Sequence, residues 1–200
     1  MFPEESFLEY YFKLYVMGNH DARSVLRAMR DSGFDPSALV DHCTIRTQNI
    51  KSVAKKLNTQ GFEKVKDGSI DMGDWFLWSF YRPGYPIVVA DQAHYKNQSS
   101  TGGGKIIHDW VERFGDEQFH HIAIRVEEIY QAVTKWTSWG VSFSDGIVCD
   151  KQTGLKQVFT KPILSHGYPY TVLEFIERPP GCTGLVVPNA DKLVLSSNNK

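Results

Sequence analysis

The stretch DHCTIRTQNI, residues 41–50, returns later in the chain as HHIAIRVEEI, residues 120–129. An offset of 79 residues puts His42 on His121, Ile45 on Ile124, Arg46 on Arg125 and Ile50 on Ile129. Continued without a gap, it puts Lys56 on Lys135 and Gly61 on Gly140. Each copy opens as a strand and runs into an amphipathic helix that stops at its glycine. Alternate side chains of a strand face opposite sides. Cys43 and Ile45, and in the second copy Ile122, Ile124 and Val126, therefore give each strand an apolar face for its helix. The opposite face carries His42, Thr44 and Arg46 in one copy and His121, Ala123 and Arg125 in the other. By the same parity His120 is expected on the helix side or at the edge.

The segments after the two copies are also alike. After the first come three strand-like segments, FEKVKDG, DWFLWSFYRP and YPIVVADQ; after the second come VSFSDGIVCD, LKQVFTKP and YTVLEFIER. The unit is βαβββ. Two units are too few for a solenoid, so the pattern predicts an α+β fold in which paired modules join their sheets into one curved mixed sheet around a cavity. Ahead of them lies a helical extension, residues 1–36, with apolar residues at helical spacing over 5–17 and 22–32. The first module is assigned to 37–92, a Gly/Ser-rich linker and short helix to 93–117, the second module to 118–180 and a frayed tail to 181–200. The two modules form one domain. Residues 96–104 of the linker are a candidate lid.

Composition narrows the functional classes. The chain has 200 residues, 42% of them hydrophobic and 22% charged, with a net charge of −1. That balance gives no electrostatic case for nucleic acid or an anionic membrane. The three cysteines, Cys43, Cys149 and Cys182, form no CxxC pair, which fits a reduced, cytoplasmic protein. No apolar run approaches the roughly 18 residues of a membrane span. GGGK, residues 102–105, lacks the spacing of a phosphate loop.

The expected partner is therefore a small molecule, with a homodimer compatible with the size. Two inward histidines on equivalent strands, His42 and His121, can meet across the pseudo-two-fold axis. Glu174 sits in the apolar run Val172–Ile176, where an ionised carboxylate is costly unless paired or ligating. Two His and one carboxylate are the facial set of non-haem Fe(II) oxygenases, so the cavity is expected to bind metal. Glu177, of opposite parity, is expected on the outer face.

Other readings stand beside these. The histidines can be a hydrogen-bonded structural pair, and Glu174 a partner of Arg46, Arg125 or Arg178. Arg46 and Arg125 suit a substrate carboxylate or internal ion pairs. Gln157 suits a substrate hydrogen bond or support of a ligand. In the aromatic strand Trp75–Tyr81, one face, with Trp78, is expected to wall the pocket.

Paired βαβββ modules with DHxxxR in one and HHIAI in the other resemble the vicinal oxygen chelate superfamily. In the second half HHIAIRVEEI, GLKQVFTKP and LEFIER are similar to the C-terminal part of 4-hydroxyphenylpyruvate dioxygenase. That resemblance implies His121 and Glu174 as ligands and Gln157 as a substrate contact. In the first half DHCTIRT and WSFYRPG resemble 2-oxoadipate dioxygenase/decarboxylase-like proteins, which implies His42 as a ligand and Arg46 as the holder of a substrate carboxylate. The resemblance covers roughly residues 5–180. The chain departs from the hydroxyphenylpyruvate enzymes in having a single module pair. It also shows no sign of their pocket-closing C-terminal helix.

The implied activity is oxidative decarboxylation and hydroxylation of a small 2-oxo acid, with Arg46 and Gln157 assisting and Fe(II) as the metal. Ni, Zn, Mn and Co tolerate the same ligands. A lyase, isomerase or epimerase of the glyoxalase type is the alternative. Such sites add a fourth ligand from the other module, where the sequence places Val89, with Asp91 two residues on. A metal-free binding protein is the third class.

Overall fold

A computed structural model describes residues 7–94, 102–182 and 187–199 of the chain. Two helices, α1 (Phe7–Gly18) and α2 (His20–Asp31), precede the modules. Asn19 caps α2 by accepting from the Ala22 N–H, and Gly33 follows its end with φ 82°. The Tyr15 hydroxyl donates to the Val172 carbonyl at 2.6 Å, so the extension is fastened to the last long strand of the sheet. A four-residue helix, α3 (Pro36–Leu39), leads into the first module.

That module comprises β1 (Val40–Arg46), α4 (Ile50–Thr59), β2 (Glu63–Asp71), β3 (Trp75–Tyr81) and β4 (Ile87–Ala93). Helix α5 (Gly103–Phe114) then connects to β5 (Gln118–Arg125), α6 (Ile129–Ser138), β6 (Val148–Cys149), β7 (Lys156–Phe159), β8 (Ile163–Ser165) and β9 (Tyr168–Glu177). The two equivalent helices stop alike, at Gly61 with φ 80° and Gly140 with φ 92°, the left-handed position that favours glycine. Segment 141–150 is mostly irregular: Gly146 turns the chain at φ 100°, Val148–Cys149 is its one strand, and Phe143 adds an isolated bridge to Thr160. The unexpected β8 forms a hairpin with β9 through His166 and Gly167, both at positive φ.

Among the described residues the sheet runs β2-β3-β4-β1-β5-β9-β7-β6, with β8 beside β9. The order is palindromic: β4 is parallel to β1, β9 is parallel to β5, and the two modules meet antiparallel along β1 and β5. Cys43 pairs with Ile122, its own repeat equivalent, so the pseudo-two-fold axis passes between them. One face of the sheet packs against α1, α2, α4 and α6 through Tyr15, Val25, Val53, Leu57, Ile129 and Trp136. Burying side chains of this size stabilises by about 1.5–3 kcal/mol each, which fixes the strand faces.

The opposite face is covered by α5 and by a helix where the sequence predicts a frayed tail. Residues Val187–Ser196 form α7, and its Leu193 and Val194 are buried against Phe159 and Val172 and against Trp75, Leu77 and Val89 respectively. Asn189, Asp191 and Lys192 in its first half hide this apolar side from periodicity alone. Helix α5 lies so close to β3 that a Cβ on Gly104 would run into the Asp74 carbonyl oxygen. The glycines of GGGK thus serve close packing. Residues 95–101, most of the candidate lid, lie outside the described residues. No helix among the described residues is long and apolar enough to cross a membrane.

Candidate metal centre

His42 from β1, His121 from β5 and Glu174 from β9 converge on the α7 side of the sheet. Glu174 Oε2 lies 3.4 Å from His42 Nε2 and 3.3 Å from His121 Nε2. Candidate ligand atoms of the three residues all lie within 4.8 Å of one another, and all three residues are buried. Donors held about 2.1 Å from one ion at right-angled to tetrahedral angles are separated by roughly 3.0–3.4 Å. Glu174 therefore stands off both imidazoles at the spacing a shared metal requires. The donor set, two imidazole nitrogens and a carboxylate, suits Fe, Ni, Zn, Mn and Co alike. The residues fit a divalent ion.

Two β-bulges aim the histidines. Along β1 and β5, Val40 pairs with Ile124 but His42 with Ala123, leaving Asp41 as the extra residue. At the other end Thr44 pairs with His121 but Ile45 with Phe119, leaving His120 as the extra residue. Asp41 and His120 are repeat equivalents, so the bulges obey the pseudo-symmetry. Each bulged side chain meets the Nδ1 of the histidine that follows it: Asp41 Oδ1 at 2.9 Å from His42 Nδ1, and His120 Nδ1 at 2.9 Å from His121 Nδ1. Nε2 of each ring is left facing Glu174. The bulge also corrects the expectation for His120. It is buried beside Trp110 and Phe159 on the site's side of the sheet, because an extra residue breaks strand parity.

Charge is arranged unevenly. Burial alone would lower the His42 pKa, but the Glu174 and Asp41 carboxylates outweigh it and raise it to about 9. Burial, with His42 and Arg46 nearby, drives His121 well below its usual value. Asp41 is held down, against its burial, by His42 and by the Arg178 guanidinium, whose Nε and Nη2 donate to it at 2.7 and 2.8 Å. Thr44 Oγ1 lies 2.9 Å from His121 Nε2.

Gln157 on β7 donates from Nε2 to Glu174 Oε1 at 2.8 Å. Arg46 and Asp91 lie side by side in register, 3.5 Å from Nε to Oδ2, both buried. Asp91 is therefore a partner of Arg46, outside the converging group. The position on β4 that matches Glu174 on β9 is held by Val89: Thr44 faces Val89 as its equivalent Ala123 faces Glu174. No carboxylate occupies the fourth-ligand position. Arg46 Nε and Nη2 and Asp91 Oδ1 are buried without hydrogen-bond partners. Burial raises the Asp91 carboxyl to about 6 against the pull of Arg46.

Trp78 is placed on the helix-facing side, with Lys64 over its ring, so the pocket wall is made by its neighbours Trp75 and Leu77. The strand parity begins at Trp75, one residue out from that expectation. Arg125 is exposed at the end of β5. It lines an 870 Å³ groove that also reaches His42 and Arg178. Glu177 lies on the outer face as expected and accepts from the Ile129 N–H at the start of α6. The chamber at His42, His121 and Glu174, walled by Trp75, Leu77, Phe159, Leu193 and Val194, has a volume of about 50 Å³. Beside it a cleft of about 570 Å³ opens past Arg46 and Trp110. Thr44 lies on the face that strand parity gives it, whereas Asp41 and Asn189 support the site without being expected there; of these two only Asp41, in the DH pair, carries a signal in the sequence.

No family model matches the chain, and no curated protein matches it in sequence. Solved structures do match. A hydroxyglutarate synthase from Oryza sativa, in complex with 2-oxoadipate, is 16% identical, with 96% of this chain and 91% of that one aligned and a TM-score of 0.71. A 4-hydroxymandelate synthase mutant from Streptomyces coelicolor is 16% identical with a TM-score of 0.64 over 80% of this chain, which spans about half (53%) of that one. A methylmalonyl-CoA epimerase from Mycobacterium tuberculosis is 15% identical, covering 72% of this chain and 91% of that one, with a TM-score of 0.52. At these identities the likeness carries the fold, and this chain has the paired-module fold of the vicinal oxygen chelate superfamily.

Proposed function

We propose that the chain is a metal-dependent dioxygenase that decarboxylates a small 2-oxo acid and hydroxylates what remains, with Fe(II) as its metal. The observation that carries this reading is the ligand set. Three buried donors converge, and Val89 stands where a fourth would. Three protein ligands leave positions open for both substrate and oxygen. The balance is simple: one keto acid and one dioxygen give one carbon dioxide and a hydroxy acid one carbon shorter. Fe(II) held by His42, His121 and Glu174 supplies chelation of the 2-oxo carboxylate and activation of dioxygen.

The chain's own residues do the rest. Asp41 and His120 keep the imidazoles turned so that Nε2 faces inward. Arg46, whose Nη2 has no hydrogen-bond partner, holds a substrate carboxylate. Trp75, Leu77, Phe159 and Leu193 keep water from the reacting atoms. The test is oxygen uptake and carbon dioxide release by anaerobically iron-loaded protein with a panel of 2-oxo acids; no uptake with any of them refutes the reading.

A second reading rests on Asp91. A buried carboxyl raised to about 6 on the same chamber suits proton transfer next to a carbonyl, the chemistry of an isomerase or epimerase. Oxygen-independent exchange of a substrate's α-hydrogen in deuterated water, lost in Asp91→Asn, would favour it.

A further inference from the structure

The histidine ligands are supported from within their own strands, but the carboxylate ligand is supported from the far end of the chain. Glu174 Oε1 accepts from Gln157 Nε2 at 2.8 Å. Gln157 Oε1 in turn accepts from Asn189 Nδ2 at 3.0 Å, and Asn189 Nδ2 also reaches the Leu155 carbonyl at 3.3 Å. Exposure of Glu174, Gln157 and Asn189 is 1%, 3% and 1%, so water does not substitute for any of these bonds. Asn189 belongs to α7.

A side-chain amide has a donor end and an acceptor end. Gln157 supports an ionised Glu174 only with its NH2 toward the carboxylate. Flipped, it would set oxygen against oxygen. What forbids the flip is Asn189, whose amine group faces two acceptors, Gln157 Oε1 and the Leu155 carbonyl. The Leu155 carbonyl is backbone and cannot turn, so the direction of the whole chain of bonds is set where α7 meets β7.

We propose that Asn189 is a positioning residue for Glu174, acting through Gln157, so that the carboxylate is aimed at the metal only while α7 is seated. The proposal rests on the reading of the site as a metal centre. It also assigns Gln157 to the ligand it touches, since both ends of its amide are engaged. Support of this kind is worth roughly 10- to 100-fold in metal affinity.

The test is Co(II) affinity, read from its visible absorption and by chelator competition, with thermal melts of the metal-free proteins alongside. Wild type is expected to take one equivalent. Asn189→Ala should bind at least about 10-fold more weakly. Asn189→Asp should be weaker still, because its second oxygen repels both acceptors and turns Gln157 over. Gln157→Met should bind weakly by itself, and adding Asn189→Ala to it should change the affinity less than about twofold, since the effect travels through Gln157.

An unchanged affinity in Asn189→Ala overturns the proposal. So does an equal loss with and without Gln157, which would make Asn189 only a fastening for α7. If Asn189→Ala melts below the assay temperature, Asn189→Ser, which keeps a small donor, is measured against Asn189→Asp with the same expected order. Failure of wild type to bind Co(II) is a different result: it removes the metal reading, and the proposal with it.

Discussion

Replacing Asp41 by Asn should be felt in two independent measurements. Its carboxylate accepts from Arg178 at 2.7 and 2.8 Å and lies 2.9 Å from His42 Nδ1. Both members of the ion pair are 8% exposed, so solvent screens it little. Asparagine keeps the shape but carries one donor end: in the Oδ2 place it faces Arg178 Nε, and in the Oδ1 place it faces both Arg178 Nη2 and His42 Nδ1, so donor meets donor either way. Removing one partner of a buried pair costs about 3–5 kcal/mol. For a protein of this size that corresponds to a fall in Tm of roughly 6–20 °C. The same substitution loosens a ligand ring, worth about 10- to 100-fold in metal affinity. The assay is urea and thermal unfolding of the metal-free protein, then Co(II) titration at a temperature where both proteins are folded. A variant within about 1 kcal/mol of wild type and with unchanged metal affinity would refute the reasoning that Asp41 anchors His42 to the scaffold.

Arg46→Lys keeps the charge but loses the forked donors; kcat/KM for a 2-oxo acid should fall roughly 10- to 100-fold with the metal content unchanged. Val89→Glu supplies the missing fourth ligand; it should tighten Zn(II) binding by about 10-fold or more while oxygen uptake disappears, as measured by titration and an oxygen electrode. Glu177 is half-buried and its pKa is lowered, against the effect of burial, by the Ile129 N–H and by Lys156. A depressed carboxyl contributes stability that is present above its unfolded pKa and lost as pH falls through the folded one. Glu177→Gln should therefore cost about 1 kcal/mol at pH 7, and the gap to wild type should close below about pH 4 in unfolding curves.

The fold and the convergence of the two histidines are legible because they depend on alternation and repetition, which a sequence displays. The pairing of His42 with His121 comes from strand parity and the offset between copies, Glu174 from its place in an apolar run, and Val89 from matching the last strands of the two modules. The features that are not legible depend on departures from parity or on distant contacts. The bulge at His120 turns that side chain onto the site, and nothing in HHIAI marks the extra residue. Trp78 is drawn to the pocket by its type, but aromatic residues crowd both faces of its strand, so residue type does not say which face is which. Helix α7 escapes because Asn189, Asp191 and Lys192 in its first half read as tail, although Leu193 and Val194 bury an apolar side. Asn189 leaves no mark at all: its partners, Leu155 and Gln157, are more than 30 residues away in the chain.

The central claim is that His42, His121 and Glu174 hold a metal ion. Metal analysis of anaerobically purified protein, beside His121→Ala and Glu174→Ala, tests it most directly. The account predicts about one equivalent of metal in the wild type and its loss in both variants, with melting curves that still show a folded chain. A wild type that takes up no Fe(II), Co(II) or Zn(II), or variants that keep the metal, would contradict it.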